Sequence, residues 1–261
     1  MTLTLQVPMS ARARWVLPLV GSLLLTAAAC SDDAGSDTSE TGTTETGTTE
    51  TGTTETGTTE TSGETSGAEL VTIEQARALD DGMMVSVEGH TSVAPGTFNS
   101  ATGEFGFAIQ DASGGIYIKT ADMLDFPLDT LVTVTGTLGQ MNQLRVIEAV
   151  AADIESVSGG QAVEPISAAT GDIDEDVEGT LVEVSGTVTQ AVQDDSPYGL
   201  KVYIDDGTGE VQVFVHLIDG VGVIDTTELA IDDTITVVGL VAQYEETYEV
   251  APRQPSDLVV P

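Results

Sequence analysis

Apolar and polar positions alternate along this chain in an arrangement that occurs twice. Phe105 to Lys119 reads FGFAIQDASGGIYIK and Leu200 to Phe214 reads LKVYIDDGTGEVQVF, and the two lie over each other without a gap. In each, alternation runs up to an Asp, breaks at small turn residues and resumes, which is the pattern of a β-hairpin. The flanking runs repeat as well. VSVEG at Val85–Gly89 matches VEVSG at Val182–Gly186, and LVTVTG at Leu131–Gly136 matches TITVVG at Thr234–Gly239. The offsets are 97 for strand one, 95 for the hairpin and 103 for strand four, so the loops differ in length while the strands correspond. Fifth strands are expected at Leu144–Val150 and Thr247–Ala251, and the connections between strands three and four at Thr120–Asp129 and His216–Asp233.

Period-two alternation also predicts facing. Phe105, Phe107, Ile109, Ile116 and Ile118 should point into the first copy, and Leu200, Val202, Ile204, Val211, Val213 and Val215 into the second. The opposite face then carries Gly106, Ala108, Gln110, Tyr117 and Lys119 in one copy and Lys201, Tyr203, Asp205, Gln212 and Phe214 in the other. Five strands with a variable connection between the third and fourth describe a small Greek-key barrel, the OB-fold. The fold class expected is therefore all-β, two tandem five-stranded OB-fold barrels.

Around these strands, VTIEQARALDDGMMVSVEGH, GFAIQDASGGIYI and DTLVTVTGTLGQMNQLRVI resemble the OB-fold domains appended to secreted bacterial nucleases and phosphoesterases. The resemblance covers about Leu70 to Val157 closely and Glu164 to Val260 loosely. It implies a short helix ahead of strand one, for which the second copy offers only the poorer ISAATGDIDEDVEG. It implies a fold and no activity, because folds host many functions. In that family the catalytic domains lie elsewhere in longer chains, and this sequence carries no recognisable one.

The first 69 residues read differently. Arg12 and Arg14 precede an apolar run from Trp15 to Ala29, the length of a secretory signal and short for a membrane span. The run ends in Ala27-Ala28-Ala29-Cys30 and resembles a bacterial lipoprotein signal, which implies that Cys30 becomes the lipidated first residue. Such signals usually carry Leu where Ala27 stands, and Ala-Ala-Ala also suits ordinary signal peptidase. Cys30 is the sole cysteine, so no intramolecular disulfide forms. From Ser31 to Glu69 apolar periodicity vanishes, and TGTTE recurs four times between Thr41 and Glu60. Such a segment buries too little to offset the entropy of ordering, so a solvated stalk is expected, reaching roughly 30 to 40 Å. Thr-rich tracts of this kind are also glycan acceptors. The organisation expected is a signal peptide over 1–29, lipidated Cys30 and stalk over 30–69, and barrels over 70–160 and 161–261.

Charge narrows the partners. After position 69, five Lys and Arg stand against 33 Asp and Glu, a net charge of −28. Phosphate backbones and anionic lipid surfaces are repelled by such a field, and there is no basic stripe. His90 and His216 occupy non-equivalent positions without a second His or Cys at metal-ligand spacing, so neither a zinc site nor a His-based nucleophile is expected. Asp205-Asp206-Gly207-Thr208-Gly209-Glu210 crowds acid at a turn without the spacing of an EF-hand loop, and turn formation is the first role of such residues. No catalytic residue, metal or cofactor is assigned. The candidate ligand-binding residues are Lys201, Tyr203, Gln212 and Phe214, with Tyr117 and Lys119, aromatic and cationic groups on the faces that OB-folds use for oligonucleotides and oligosaccharides. Tyr244 and Tyr248 bring further aromatics near the second hairpin. The reading is a non-enzymatic, lipid-anchored binding or scaffold protein of the bacterial cell envelope, at the outer membrane or cell surface. Its partners are the membrane through its lipid and a protein or glycan, with nucleic acid disfavoured by charge. An oligonucleotide-binding accessory and an unrecognised hydrolase are the alternatives. Lipidation has a direct test: mass spectrometry of the mature N-terminus should find Cys30 first and acylated, and Cys30→Ser should release the protein from membranes.

Overall fold

The alternating runs form strands, and each copy's strands close into a ring. The computed structural model describes residues 68–98, 103 and 105–261. The expected signal, Cys30 and stalk lie outside the described residues. Ten strands build the two rings. They are β1 (Met84–Val93), β2 (Phe107–Gln110), β3 (Gly115–Lys119), β4 (Leu131–Met141) and β5 (Leu144–Glu148), then β6 (Leu181–Val188), β7 (Gly199–Asp205), β8 (Val211–Ile218), β9 (Thr234–Tyr244) and β10 (Thr247–Ala251). In the N-terminal ring β1 pairs β2, β2 pairs β3, β3 pairs β5 in parallel, β5 pairs β4, and β4 returns to β1. That is a closed five-stranded barrel in the OB-fold order. The C-terminal strands run through the same circuit, β6 to β7, β8, β10, β9 and back to β6.

Two glycine pairs shared by the copies are explained by closure. A Cβ on Gly136 or Gly239 would lie 2.5 Å from the Glu148 oxygen or 2.8 Å from Ala251, and one on Gly89 or Gly186 would press on Gln110 or Asp205 at 3.0 Å. At these corners the backbones approach too closely for a side chain.

Each ring has its own core. Phe107, Ile109, Ile116, Ile118, Val132, Val134 and Ile147 fill the first, and Val202, Ile204, Val211, Val213, Val215, Ile235 and Val250 fill the second. Leu200 packs against its core from a half-buried position. Phe105 is corrected: it is half-buried and precedes β2, outside the first core. The expected helix is present as α1 (Ile73–Arg77), started by a reciprocal cap between Thr72 and Gln75 that satisfies two end N–H groups, with Ile73 and Ala76 buried beneath. The second copy has a single 3₁₀ turn, Thr170–Asp172, in its place. A further correction concerns His216, which continues β8 instead of opening a loop; β8 runs to Ile218 and pairs with Val221–Gly222.

A third cluster joins the rings. Val93, Phe98, Ala108, Tyr117, Leu144 and Val146 from the first meet Leu240 and Ala251 from the second, all buried. Beside it the backbones touch, because a Cβ on Gly115 would collide with the Gly179 carbonyl and one on Gly179 would lie 2.5 Å from the Gly115 oxygen. Polar groups complete the seam: the Gln110 side-chain oxygen accepts from Leu181 N at 2.8 Å, Arg253 donates to the Ser92 carbonyl at 2.8 Å, and Glu245 N donates to the Asn142 carbonyl at 2.7 Å. Next to Gly179 the fully buried Glu178 carboxylate accepts from Arg77 at 3.0 Å and from Arg145 N at 3.1 Å. Burial raises its pKa, against the pull of the Arg77 charge and the Arg145 N–H. Removing one partner of such a pair leaves the other charge uncompensated in the interior. Arg77→Ala should therefore cost about 3 kcal/mol in urea-unfolding stability, and adding Glu178→Leu should recover most of it.

A polar row on the C-terminal barrel

Two equivalent rows of side chains cross the outer faces of the barrels, and their chemistry has diverged. In the N-terminal barrel the register sets Ala108 beside Tyr117, Tyr117 beside Val146, and Val146 beside Gly139. In the C-terminal barrel Tyr203, Gln212, Glu249 and Ala242 occupy the same places. The first row is apolar and lies under the seam: Ala108 is 0% exposed and Tyr117 3%. Tyr117 is thus on the outer face as expected, but the second barrel covers it, which corrects the expectation that it stands open to a ligand. Lys119, at the end of β3, stays at the surface and reaches Glu148 at 2.6 Å.

The second row is a hydrogen-bonded chain. The Tyr203 hydroxyl donates to the Gln212 oxygen at 3.0 Å, and the Gln212 amide donates to Glu249 at 2.6 Å. Lys201 lies one step along β7 and pairs with Asp195 at 3.0 Å, a bond that raises its pKa. Tyr203 and Lys201 are half-buried, whereas Gln212 and Glu249 are buried. Burial lifts the Glu249 carboxyl to about 7, opposed by the Gln212 hydrogen bond and the Lys201 charge. Tyr203, Gln212 and Lys201 therefore come together, as the alternation predicted. Glu249 escaped sequence reading, although it stands at an outward-facing position of the fifth strand.

Phe214 departs from the expected role. Its ring is buried, lies over Gly199, and meets His216 edge-on at 4.9 Å; His216 in turn stacks on Phe98 at 4.5 Å. This ladder of rings belongs to the seam, and burial lowers the His216 pKa to about 4. Tyr248 is spent as well, donating its hydroxyl to Glu175 at 3.0 Å, while Tyr244 remains exposed.

The acidic turn serves the backbone. Asp205 accepts from Gly207 N and Gly209 N, and Asp206 from Thr208 and from Thr170 of the 3₁₀ turn, which lowers the Asp206 pKa. Among the described residues no group of three or more His, Cys, Asp or Glu side chains is placed to hold a metal.

No family model matches the chain, and no curated protein matches it. Solved structures of similar chain course include an OBody bound to hen egg-white lysozyme, with 23% identity, a TM-score of 0.30, and coverage of 38% of this chain and 98% of that one. The p204 HINb domain has 13% identity and a TM-score of 0.36 over 66% of this chain and 95% of its own. The single-stranded DNA binding protein from Thermus aquaticus has 14% identity and a TM-score of 0.23 over 70% and 94%. None of them assigns a ligand to this chain.

Glu249 gives the row a pH signature. Its folded pKa lies above that of a free carboxyl, so the folded state holds a proton that the unfolded chain has already lost between about pH 4.5 and 7. Stability from this group is full below that window and falls as pH rises through it. Relative to wild type, Glu249→Gln should gain about 3 kcal/mol between pH 4.5 and pH 8, measured as the pH dependence of urea unfolding.

Proposed function

We propose that this chain is a non-catalytic binding protein whose two OB-fold barrels act as one presenting body, exported and carried by lipidated Cys30 on its Thr-rich stalk. The observation that carries the reading is the fate of the two outer rows. One is consumed in joining the barrels, which leaves the hairpin face of the other, where half-buried Tyr203 and Lys201 stand over the buried Gln212–Glu249 pair, to meet a partner. OB barrels take oligonucleotides and oligosaccharides on this face.

Charge weighs between those classes. Each of the five Lys and Arg residues after position 69 ends on a carboxylate: Arg77 on Glu175 and Glu178, Lys119 on Glu148, Arg145 on Asp81, Lys201 on Asp195 and Arg253 on Asp257. A phosphate would have to compete with these partners inside a field of −28. Affinity for nucleic acid comes largely from cations that release counterions, and here none is unpaired. An uncharged glycan or a protein surface fits the face better. Oligonucleotide binding is the second reading, favoured by Tyr203 beside Lys201 on the hairpin, where a base would stack.

Fluorescence anisotropy of labelled oligothymidylate separates the two. The expected result is no saturable binding at near-physiological salt. Saturable binding that Tyr203→Ala abolishes would instead establish the second reading.

A further inference from the structure

Between the β4–β5 turn and the β9–β10 turn the barrels leave a cleft of about 360 Å³, at the lower end of the roughly 300–1,000 Å³ of small-molecule sites. Its walls come from both copies. Gln140 lies near the end of β4 and Gln143 in the turn that follows, while Gln243 and Tyr248 stand on β9 and β10 beside the second turn. Gln140 stands opposite Arg145 in the ladder as Gln243 stands opposite Tyr248, so equivalent positions of the two copies face one another across the cleft. The turns are fixed against each other by the Glu245 N to Asn142 bond and by a bridge between Gln143 and Tyr244.

The polar inventory of this cleft is unusual. Three carboxamides line it, and each has both a donor and an acceptor end. The Gln243 amide is oriented by a 2.8 Å bond to the Glu245 carbonyl. Arg77 and Arg145 also line it, and each keeps one buried N–H group without a partner in the protein, Nη1 of Arg77 and Nε of Arg145. Behind Arg77 the fully buried Glu178 keeps its Oε2 unpartnered as well. These three atoms lie beneath the lining, closed off from solvent, so a ligand in the cleft meets the carboxamides, the Tyr248 ring, the Glu175 carboxylate and the accessible edges of the two guanidiniums.

Chemistry selects among candidates. An anion would meet Glu175, and both guanidiniums are already neutralised, Arg77 by Glu175 and Glu178 and Arg145 by Asp81. An apolar ligand would find Leu79 as the one aliphatic side chain in the lining. A hydroxyl group donates and accepts at once, which is what a mixed set of carboxamides, N–H groups and carboxylate requires. We propose that the inter-barrel cleft binds a neutral carbohydrate, with sugar hydroxyls spanning Gln140 and Gln243.

This rests on the reading of the chain as a binding protein but places the ligand away from the Tyr203 face, so variants distinguish the two. Isothermal titration of the full chain with maltohexaose, cellohexaose and chitohexaose should give saturable binding of at least one in the micromolar to millimolar range. Combining Gln140→Ala with Gln243→Ala should weaken it by about tenfold or more. Met123→Ala, an exposed side chain outside the cleft lining, should leave it unchanged, and an oligogalacturonate should not compete. Urea unfolding of the double variant should match wild type, because both glutamines sit at the rim. Binding lost in Tyr203→Ala and kept in the double variant would overturn the cleft while leaving the binding function standing. Binding of none of the three sugars, or of oligogalacturonate or oligothymidylate alone, would overturn the carbohydrate assignment.

Discussion

A carboxylate withdrawn from water governs the arrangement of this molecule. Glu178 is held inside the seam by a guanidinium from α1 and a main-chain N–H from β5, and a buried charge is tolerated only where such partners are fixed in place. Its position binds three elements at once: the helix that opens the first copy, the fifth strand of the first barrel, and the turn that leads into β6. The adjoining Gly115–Gly179 contact permits an approach that any side chain would prevent. Both accompany the buried contact of Tyr117, Leu144 and Val146 with Leu240 and Ala251.

The two copies show how one backbone plan is put to different uses. The row Ala108–Tyr117–Val146–Gly139 gains from leaving water, and the row Tyr203–Gln212–Glu249–Ala242 replaces it with side chains that satisfy one another. In the second row the buried carboxyl is accommodated by holding its proton close to neutrality and by the amide that meets it. The acidic remainder of the surface is not matched by free cations, since all five basic groups of the barrels are occupied locally. The long-range field and the short-range contacts therefore lead to the same conclusion about partners, favouring ligands without phosphate.

Most of the strand plan could be read from alternation, because period two survives wherever one face of a strand enters a core. Ile109, Ile116, Val202 and Val213 fall inside as the pattern requires, and the Thr72–Gln75 cap follows from residue type and spacing. Alternation also put Tyr117 and Phe214 on the outer faces correctly, but it carries no information about what lies against an outer face. The clue was present in residue chemistry: Ala108, Tyr117 and Val146 make an outward row without a charge, which is poor company for water. Phe105 failed because the chain has not yet entered β2 there, and His216 because the alternation of Val211, Val213 and Val215 continues through buried Leu217. Glu178 was not legible at all. It sits in a turn among other acids, and the groups that explain it, Arg77 and Arg145, are brought to it only by tertiary folding.

The seam joins unlike surfaces, the outer row of one copy against the β9–β10 side of the next. A contact of this head-to-tail kind has no internal reason to stop at two units, and repeated indefinitely it would grow a filament. Growth is blocked at both ends by composition. The positions of the first barrel that correspond to Leu240 and Ala251 are Thr137 and Glu148, the latter exposed and paired with Lys119. At the other end, the row that would engage a third unit carries Gln212 and Glu249 in place of Tyr117 and Val146. The chain thus carries polar side chains at the two positions where a further barrel would have to dock, as polar capping repeats do at the ends of a solenoid.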